Sequence, residues 1–357
     1  MNILYIGPKM IHPKNGGDRI ELRNQVLLEK YCKANVTYFS PDFNYTSLSI
    51  KLKLSIGLTA ERKAELKRIL HAHNFYLVFV SQSTYGGYVK YIKSISNITI
   101  ITFFHNAEIN YFVHAHNGET NSFKGLHYIA KVLWNEYYSA KKSDKIITLN
   151  ERDSIALKKY YGKSANLILP TTFEDTFNEN NDNSSKLDID CLFVGSSFFA
   201  NTEGLQWFID NVFPYIKGNL YIIGNGMDSF KFSNLSDRIH KKGFVDNLTS
   251  YYNRAKLIIS PIFSGSGMKT KTAEALMFGK IIIGTQEAFE GYEVNPGCMI
   301  LCNTADEFIT SINRIVPQIK HPINTIAREH FKENYSNGCV VQRLKVFLHE
   351  TIGNTMQ

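Results

Sequence analysis

The residues whose types and spacing could do chemistry are concentrated in one stretch of this 357-residue chain, from 260 to 292. Within it, an apolar run predicts a strand, and Gly265, Ser266 and Gly267 then permit a tight turn with exposed backbone amides. A helix is predicted from about 269 to 278. Its N-terminus presents unpaired N–H groups and the positive end of the helix dipole, and both favour a bound phosphate.

Charged side chains add to this predicted phosphate site. Lys269 and Lys271 place positive charge at the start of the helix, and Glu274 lies three residues after Lys271 on the same side of it. A carboxylate there can accept hydrogen bonds from both hydroxyls of a ribose while the glycine turn holds a diphosphate. The pattern therefore predicts a nucleoside-diphosphate site, with an ordinary surface ion pair as the alternative.

The elements that must position these residues form two successive series. Short β-type runs alternate with helix-length segments, which predicts an α/β fold with parallel sheets flanked by helices. The predicted strands of the first half are 3–6, 36–40, 76–81, 98–103 and 145–148, and its helices include 18–31, 59–72 and 126–141. The predicted strands of the second half are 190–194, 219–223, 256–260 and 280–284.

The two series predict two nucleotide-binding-like domains that face a cleft. We expect a first domain at 1–168, a polar exposed linker at 169–188 and a second domain at 189–336, with a C-terminal helix at about 337–357 packing back on the first. Ligands of such sheets bind at the carboxyl ends of the strands.

Charge is divided unevenly between the halves. Residues 1–168 contain 23 Lys and Arg against 12 Asp and Glu, whereas residues 169–357 contain 17 against 20. The basic half predicts contact with an anionic membrane surface, a phosphorylated acceptor or nucleic acid, with a merely solvated surface as the alternative. In the segment 47–56 apolar residues alternate with polar ones, which predicts a half-buried strand. This strand either packs on the domain with one solvated face or belongs to a flap that touches lipid or acceptor.

Several other classes of site are disfavoured. No segment approaches the ~20 apolar residues that span a bilayer, and the first residues resemble a strand rather than a signal peptide, so we expect a cytoplasmic protein. The five cysteines are scattered, which predicts reduced thiols. Two His-x-His pairs lack a further ligand at suitable spacing, so no metal site is expected.

The stretch 265–285 reads Gly-Ser-Gly-x-x-x-Lys-x-x-Glu-Ala-Leu-x-x-Gly-Lys-x-x-Ile-x-Thr and resembles the donor-binding motif of glycosyltransferase family 4, retaining enzymes of the GT-B fold. The resemblance continues through 285 and 288–292. It also covers 193–214, which is similar to the first βα unit of the family's C-terminal domain, and 221–226, which is similar to its second strand and turn. It is diffuse in the first half, where Gly16-Gly17 and the segment 105–108 occupy acceptor-side and catalytic positions.

The resemblance implies a role for each matching residue. Glu274 would bind the ribose, Lys271 would bind the diphosphate, and both would be essential for turnover. His105 would lie beside the reacting face of the donor sugar, unless it is a buried core histidine. The other donor-binding residues would be Gly16, Gly17, Gly265, Ser266, Gly267, Met268, Lys269, Thr270 and Glu290, of which Glu290 either contacts the sugar or caps a helix.

Two features depart from the family's pattern. Ser266 stands where many members have a glutamate that contacts the sugar, and residues 196–203 lack the Arg and Lys that many members use for the diphosphate. We therefore expect Lys269 and Lys271 together to neutralise the diphosphate.

The resemblance implies a metal-independent, retaining glycosyltransferase without a cofactor. It would move a sugar from a nucleoside-diphosphate sugar to a glycan or polyprenyl-diphosphate-linked acceptor in bacterial surface-polysaccharide synthesis, at the inner face of the membrane. Alternatives are a sugar-nucleotide epimerase of the same fold and a non-catalytic nucleic-acid-binding protein, although no RNA-binding or zinc motif is present. A nicotinamide-dependent oxidoreductase is disfavoured because residues 7–18 lack Gly-x-Gly-x-x-Gly.

Overall fold

The computed structural model describes residues 1–13, 15–41, 54–114, 123–178, 186–265 and 267–353. The chain divides into two compact units: the first comprises 1–13, 17–170 and 340–357, and the second comprises 14–16 and 171–339. Each unit is built around a six-stranded sheet whose described strand pairs are all parallel. The predicted α/β fold with two Rossmann-like sheets is confirmed.

The sheet of the first unit has the strand order β2-β1-β3-β4-β5-β6. Its strands are β1 (Asn2–Ile6), β2 (Asn35–Phe39), β3 (Leu77–Val80), β4 (Thr99–Phe104), β5 (Lys145–Thr148) and β6 (Leu167–Ile168). The helices between them are α1 (Gly16–Val26), α2 (Ala60–Ala72), α3 (Gly86–Ile95), α4 (Glu108–His114), α5 (Phe123–Lys142) and α6 (Glu151–Tyr161). All residues of β3 and β4 are buried, because helices cover both faces of a parallel sheet.

The sheet of the second unit has the strand order β12-β11-β10-β7-β8-β9. Its strands are β7 (Ile189–Val194), β8 (Leu220–Ile223), β9 (Ile239–Lys242), β10 (Ala255–Ser260), β11 (Ile281–Gly284) and β12 (Met299–Leu301). The helices are α7 (Phe199–Asn211), α8 (Thr249–Arg254), α9 (Thr270–Met277), α10 (Ala305–Ile315) and α11 (Thr325–Asn334), and α12 (Asn337–Gly353) follows. Among the described residues, no helix is both long and apolar enough to cross a membrane.

The strands that sequence analysis did not predict are short edge strands. β6 has two residues, β12 has three, and β9 reads Ile-His-Lys-Lys with alternate residues exposed. An edge strand has one neighbour and a solvated side, so it needs no apolar run. The predicted helix 18–31 is also interrupted, because a π-helical segment (Leu27–Tyr31) follows α1.

The predicted linker is anchored at its start. Thr172 is buried, and its hydroxyl donates to the Asn337 side chain at 2.9 Å. Asp175 forms an ion pair with Arg328, with a closest N–O distance of 2.8 Å. The expected exposure therefore fails at Thr172, whereas Asp175 is exposed as expected, and residues 179–185 lie outside the described part of the chain. The predicted strand at 47–56 lies mostly outside it too.

Helices α3 and α5 approach so closely that only glycine fits at their crossing. A Cβ on Gly86 would lie 1.7 Å from the backbone oxygen of Asn135. The neighbouring amide of Gly87 donates to the Asn135 side chain at 2.9 Å, which fixes the crossing.

We expect Gly86→Ala to lower the free energy of unfolding by at least about 2 kcal/mol, because a methyl group there forces two packed helices apart. Gly338→Ala in α12 is the matched control, since the nearest heavy atom to its added Cβ is 3.8 Å away. Urea denaturation of both variants measures the effect, and equal stability of the two would contradict the close approach.

Candidate active site

The turn before α9 has the backbone conformation that its glycines predict. Gly265 has φ 129° and Gly267 has φ 66°, both in the left-handed region that favours glycine. The helix then begins at Thr270, which is half-buried, after Lys269 in extended conformation. Ser266 lies outside the described residues. The turn therefore directs the positive dipole end of α9 toward the edge of the sheet where β10 ends.

Lys271 is held at the carboxyl end of β7. Its Nζ donates to Asn201 Oδ1 at 2.5 Å and lies 4.2 Å from the centre of the Phe193 ring. The Asn201 amide is fixed in turn, because its Nδ2 donates to the Ser196 carbonyl at 2.8 Å. Gly195 makes room for this ammonium group, since a Cβ there would lie 3.1 Å from Nζ.

The charge of Lys271 is poorly compensated. Burial, together with repulsion from Lys269, lowers the pKa of Lys271 to about 7. Its hydrogen-bond partner Asn201 is a neutral amide, which stabilises an ammonium group less than a carboxylate does. An anion that reaches this group would therefore gain a strong partner.

Lys269 has a different environment from the one that we expected. Its Nζ donates to Glu287 Oε1 at 2.6 Å and to the Gly267 carbonyl at 2.9 Å. A carboxylate of the protein thus already balances its charge. The expectation that both lysines neutralise a diphosphate stays a prediction. In the structure Lys271 has a neutral partner, whereas Lys269 ties the glycine turn to the turn after β11.

Glu274 is fixed one turn further along α9. It is 7% exposed, and the Tyr252 hydroxyl donates to its Oε2 at 3.1 Å. The Tyr252 ring stacks on Phe278, with ring centres 4.5 Å apart and planes 11° apart. The carboxylate is therefore oriented by a residue that is itself held by packing.

The loop after β11 is tied to the same helix. The Tyr292 hydroxyl donates to the Lys269 carbonyl at 2.7 Å and accepts from the Ala273 amide at 3.3 Å. Glu290 is half-buried in this loop, at the end of a short 3₁₀ turn. Met268 is buried, and its sulfur accepts the Thr171 amide at 3.4 Å. The second unit thus brings Gly265, the predicted residues from Gly267 to Glu274 and the Glu290 loop to one region.

The other predicted residues belong to different parts of the structure. Gly16 and Gly17 are the first residues of α1, and the boundary between the units falls between them. His105 follows β4 in the first unit, packs edge-on against Phe103, and its Nε2 lies 3.8 Å from Glu21 Oε2. Burial and the positive charge of Arg23 lower the pKa of His105 to about 4, so its imidazole is neutral near pH 7.

Two buried carboxylates hold the loop that follows His105. Glu136 on α5 accepts the amides of residues 108 and 109 at 2.5 and 3.0 Å and the Tyr161 hydroxyl at 2.8 Å. Asp153 on α6 accepts the Ala107 amide at 3.1 Å. Burial raises the pKa of Glu136 to about 7. Three consecutive backbone amides are thereby fixed by side chains that lie far away in the sequence.

Sequence analysis missed several residues that position the site. Tyr252, Glu287, Glu136 and Glu21 belong to no motif, and each reaches its partner through tertiary packing. The sequence contains only a weak indication of these roles, namely that Glu136 and Glu21 are acidic residues in helices that must cover a sheet. Among the described residues, no group of three His, Cys, Asp or Glu side chains could hold a metal ion, and all five cysteines are free.

Comparison with known proteins links the second unit to one enzyme class. Residues 188–318 match the family model described as Glycosyl transferases group 1. An uncharacterized 44.6 kDa protein in the cps region of Klebsiella pneumoniae is 23% identical over 305 residues, which cover 78% of this chain and 75% of that protein.

Solved structures extend the likeness to both units. Sucrose-phosphate synthase from Thermosynechococcus elongatus has a TM-score of 0.77 at 14% identity, covering 99% of both chains. Anabaena HepE, solved with UDP and glucose, has a TM-score of 0.69 at 13% identity, covering 98% of this chain and 100% of that one. At such identities the likeness shows the fold, which is GT-B. With the group 1 match in the second unit, the chain is a glycosyltransferase.

Proposed function

We propose that this glycosyltransferase moves a sugar from a nucleoside-diphosphate sugar to a hydroxyl of a glycan or lipid-linked acceptor, with retained anomeric configuration and without a metal ion or other cofactor. One observation carries the donor assignment. One turn of α9 carries both Lys271 and Glu274. The ammonium group of Lys271 has a neutral amide as its hydrogen-bond partner, and the carboxylate of Glu274 is oriented by Tyr252. The binding of UDP and glucose by HepE supports this donor class.

The diphosphate and the ribose each have a partner in this arrangement. Lys271 and the N-terminus of α9 bind the diphosphate, and Glu274 accepts the hydroxyls of the ribose. As the diphosphate departs, negative charge grows on its oxygens. A desolvated ammonium group stabilises this charge more in the transition state than in the ground state, which accelerates transfer.

The reaction that we propose occurs on one face of the sugar. The bond from the anomeric carbon to the phosphate oxygen breaks, and a bond from that carbon to the acceptor oxygen forms on the same face. The acceptor proton passes to the departing phosphate. The motif resemblance to retaining enzymes supports this route, together with the lack of a recognisable nucleophilic carboxylate motif in the sequence.

The acceptor proposal rests on charge and on one relative. The cps-region protein of Klebsiella pneumoniae supports a role in polysaccharide synthesis. The excess of Lys and Arg in residues 1–168 supports an anionic acceptor such as a polyprenyl-diphosphate glycan. We therefore propose that the enzyme acts in the cytoplasm, at the inner face of the membrane.

Donor binding is tested with a thermal-shift panel of nucleoside diphosphates and their sugars. A ligand at 100 times its Kd should stabilise the protein by about 2.7 kcal/mol. Glu274→Gln should weaken that ligand by roughly tenfold or more, and Tyr252→Phe by roughly fivefold, because one hydrogen bond to a charged group is lost in each. Exposed Glu333→Gln is the matched control.

The nucleotide sugar that binds in this panel is then used as the substrate in an assay that identifies the reaction. Sugar transfer to an acceptor should persist in EDTA, and Glu274→Ala or Lys271→Ala should abolish it. Near-normal transfer by either variant would refute the site. Epimerised nucleotide sugar formed without acceptor would instead establish the epimerase alternative.

Donor affinity should depend on pH through Lys271. Its pKa of about 7 in the free protein means that the ammonium loses its proton above pH 7, whereas a bound diphosphate favours the charged form. Binding therefore takes up a proton, and affinity should fall by nearly tenfold per pH unit between pH 7.5 and 9. Calorimetry with a diphosphate sugar, whose phosphates do not titrate in this range, measures the slope.

Lys271→Met should bind weakly at every pH and lose the slope, whereas exposed Lys332→Met should keep both affinity and slope. If the donor affinity of Lys271→Met still fell as the pH rose, the titrating group would be a different one.

Membrane association is tested by flotation of the full chain with liposomes. Binding should require anionic lipid and weaken with salt, because exposed charges are screened. Equal recovery with neutral and anionic liposomes, or no flotation with either, would contradict the membrane proposal without affecting the donor site.

A further inference from the structure

A buried pair of titratable groups at the carboxyl ends of β1 and β4 is not used by the donor chemistry above. Glu21 on α1 is 1% exposed, and the Tyr5 hydroxyl donates to its Oε1 at 2.9 Å. Its other oxygen, Oε2, lies 3.8 Å from Nε2 of His105. The first unit thus places a carboxyl group beside the imidazole that the motif resemblance assigns to the reacting sugar.

The two facing atoms are buried, and neither makes a hydrogen bond in the structure. Oε2 of Glu21 and Nε2 of His105 both lack a hydrogen-bond partner. A buried polar atom without a partner is destabilising, so such an atom calls for an explanation, and a functional role is one. The separation of 3.8 Å is close enough for the two atoms to hydrogen-bond after a small rotation of the imidazole ring.

The backbone of β1 makes space for this carboxyl group. Gly7 follows the strand, and a Cβ at that position would lie 2.7 Å from Glu21 Oε1 and 2.4 Å from the Ser81 hydroxyl. Any larger residue would push the carboxyl group away from Tyr5. The glycine therefore permits the chain of contacts from Tyr5 through Glu21 to His105.

The surroundings favour an uncharged pair at neutral pH. Burial raises the pKa of Glu21 to about 7, although the hydrogen bond from the Tyr5 hydroxyl opposes the increase. Burial and Arg23 lower the pKa of His105 to about 4, while the Ser81 backbone opposes that decrease. Among the described residues, the phenols of Tyr38 and Tyr85 lie close enough to Glu21 for its charge to help raise their pKa values. Near pH 7, Glu21 is therefore the group that takes up or releases a proton.

We propose that Glu21 and His105 form one proton-sharing pair, in which Glu21 orients the imidazole ring of His105 and determines its charge. The role of His105 in sugar transfer rests on the proposed function, whereas the pairing does not. Hydrogen bonds of catalytic groups are often long in free enzymes and shorten in the substrate complex. Glu21 is accordingly a positioning residue, acting through His105.

The pairing is tested by NMR on the full chain with ¹³C-labelled histidine. The chain has eleven histidines, and the His105 signal is the one that disappears in His105→Gln. In the wild type its ring carbon should show a chemical-shift step with a midpoint near pH 7, as Glu21 ionises next to it. Glu21→Gln should remove this step, and exposed Glu151→Gln should retain it.

A second variant keeps the test decisive if Glu21→Gln does not fold. Tyr5→Phe retains the carboxyl group but removes a hydrogen bond that lowers the pKa of Glu21. The step should therefore move to higher pH. A His105 titration that is the same in wild type, Glu21→Gln and Tyr5→Phe would overturn the pairing.

Kinetics then separate positioning from packing. Glu21→Gln should lower kcat by roughly tenfold, leave the KM of the donor unchanged and remove the pH dependence of kcat near pH 7. A lower kcat with an unchanged pH profile would show a packing effect and overturn the positioning role. If the protein transferred no sugar, the chemical-shift step of His105 would still test the Glu21–His105 pair. Failure of the proposed function and failure of the pairing are therefore distinguishable.

Discussion

The geometry of parallel strands is the constraint on which both units depend. All the strands of a parallel sheet end at one edge, so the loops that follow them must share that edge. In the second unit this crowding is severe: a Cβ on Gly224 would lie 2.0 Å from the Gly195 oxygen, and one on Gly204 would lie 1.7 Å from the Pro261 oxygen. Gly224 and Gly195 let the loops after β7 and β8 meet, and Gly204 lets helix α7, which carries Asn201, approach the segment after β10.

The crowded edge also sets the electrostatics of the second unit. Water is largely removed from Lys271, which lowers its pKa, while the partner that packing supplies is an amide. Lys269, two residues earlier, is paired with Glu287 instead. The two lysines at the start of α9 therefore differ in charge compensation: Lys269 helps to hold the loop, and Lys271 has only a neutral partner for its charge.

In the first unit, buried carboxyl groups perform the corresponding task. Glu136 and Asp153 bind backbone amides of the loop after β4, and Glu21 faces the imidazole of His105. Each carboxyl group is removed from water, which raises the pKa values of Glu136 and Glu21 to about 7. The first unit thus combines an immobilised loop with a group that can exchange a proton near neutral pH, a combination that suits chemistry on a hydroxyl group.

The sequence by itself determined the α/β fold, most of the central strands, the glycine turn and the helix that carries Lys271 and Glu274. These features follow from local periodicity and from the backbone freedom of glycine, which neighbouring residues specify. It did not predict the edge strands β6, β9 and β12, whose few residues pair only because a neighbouring strand is already in place. Only the tertiary structure decided that Lys269 pairs with Glu287, that Tyr252 orients Glu274 and that Glu21 faces His105. Each of these contacts joins separate elements, and its strength depends on distance and burial, which packing alone sets.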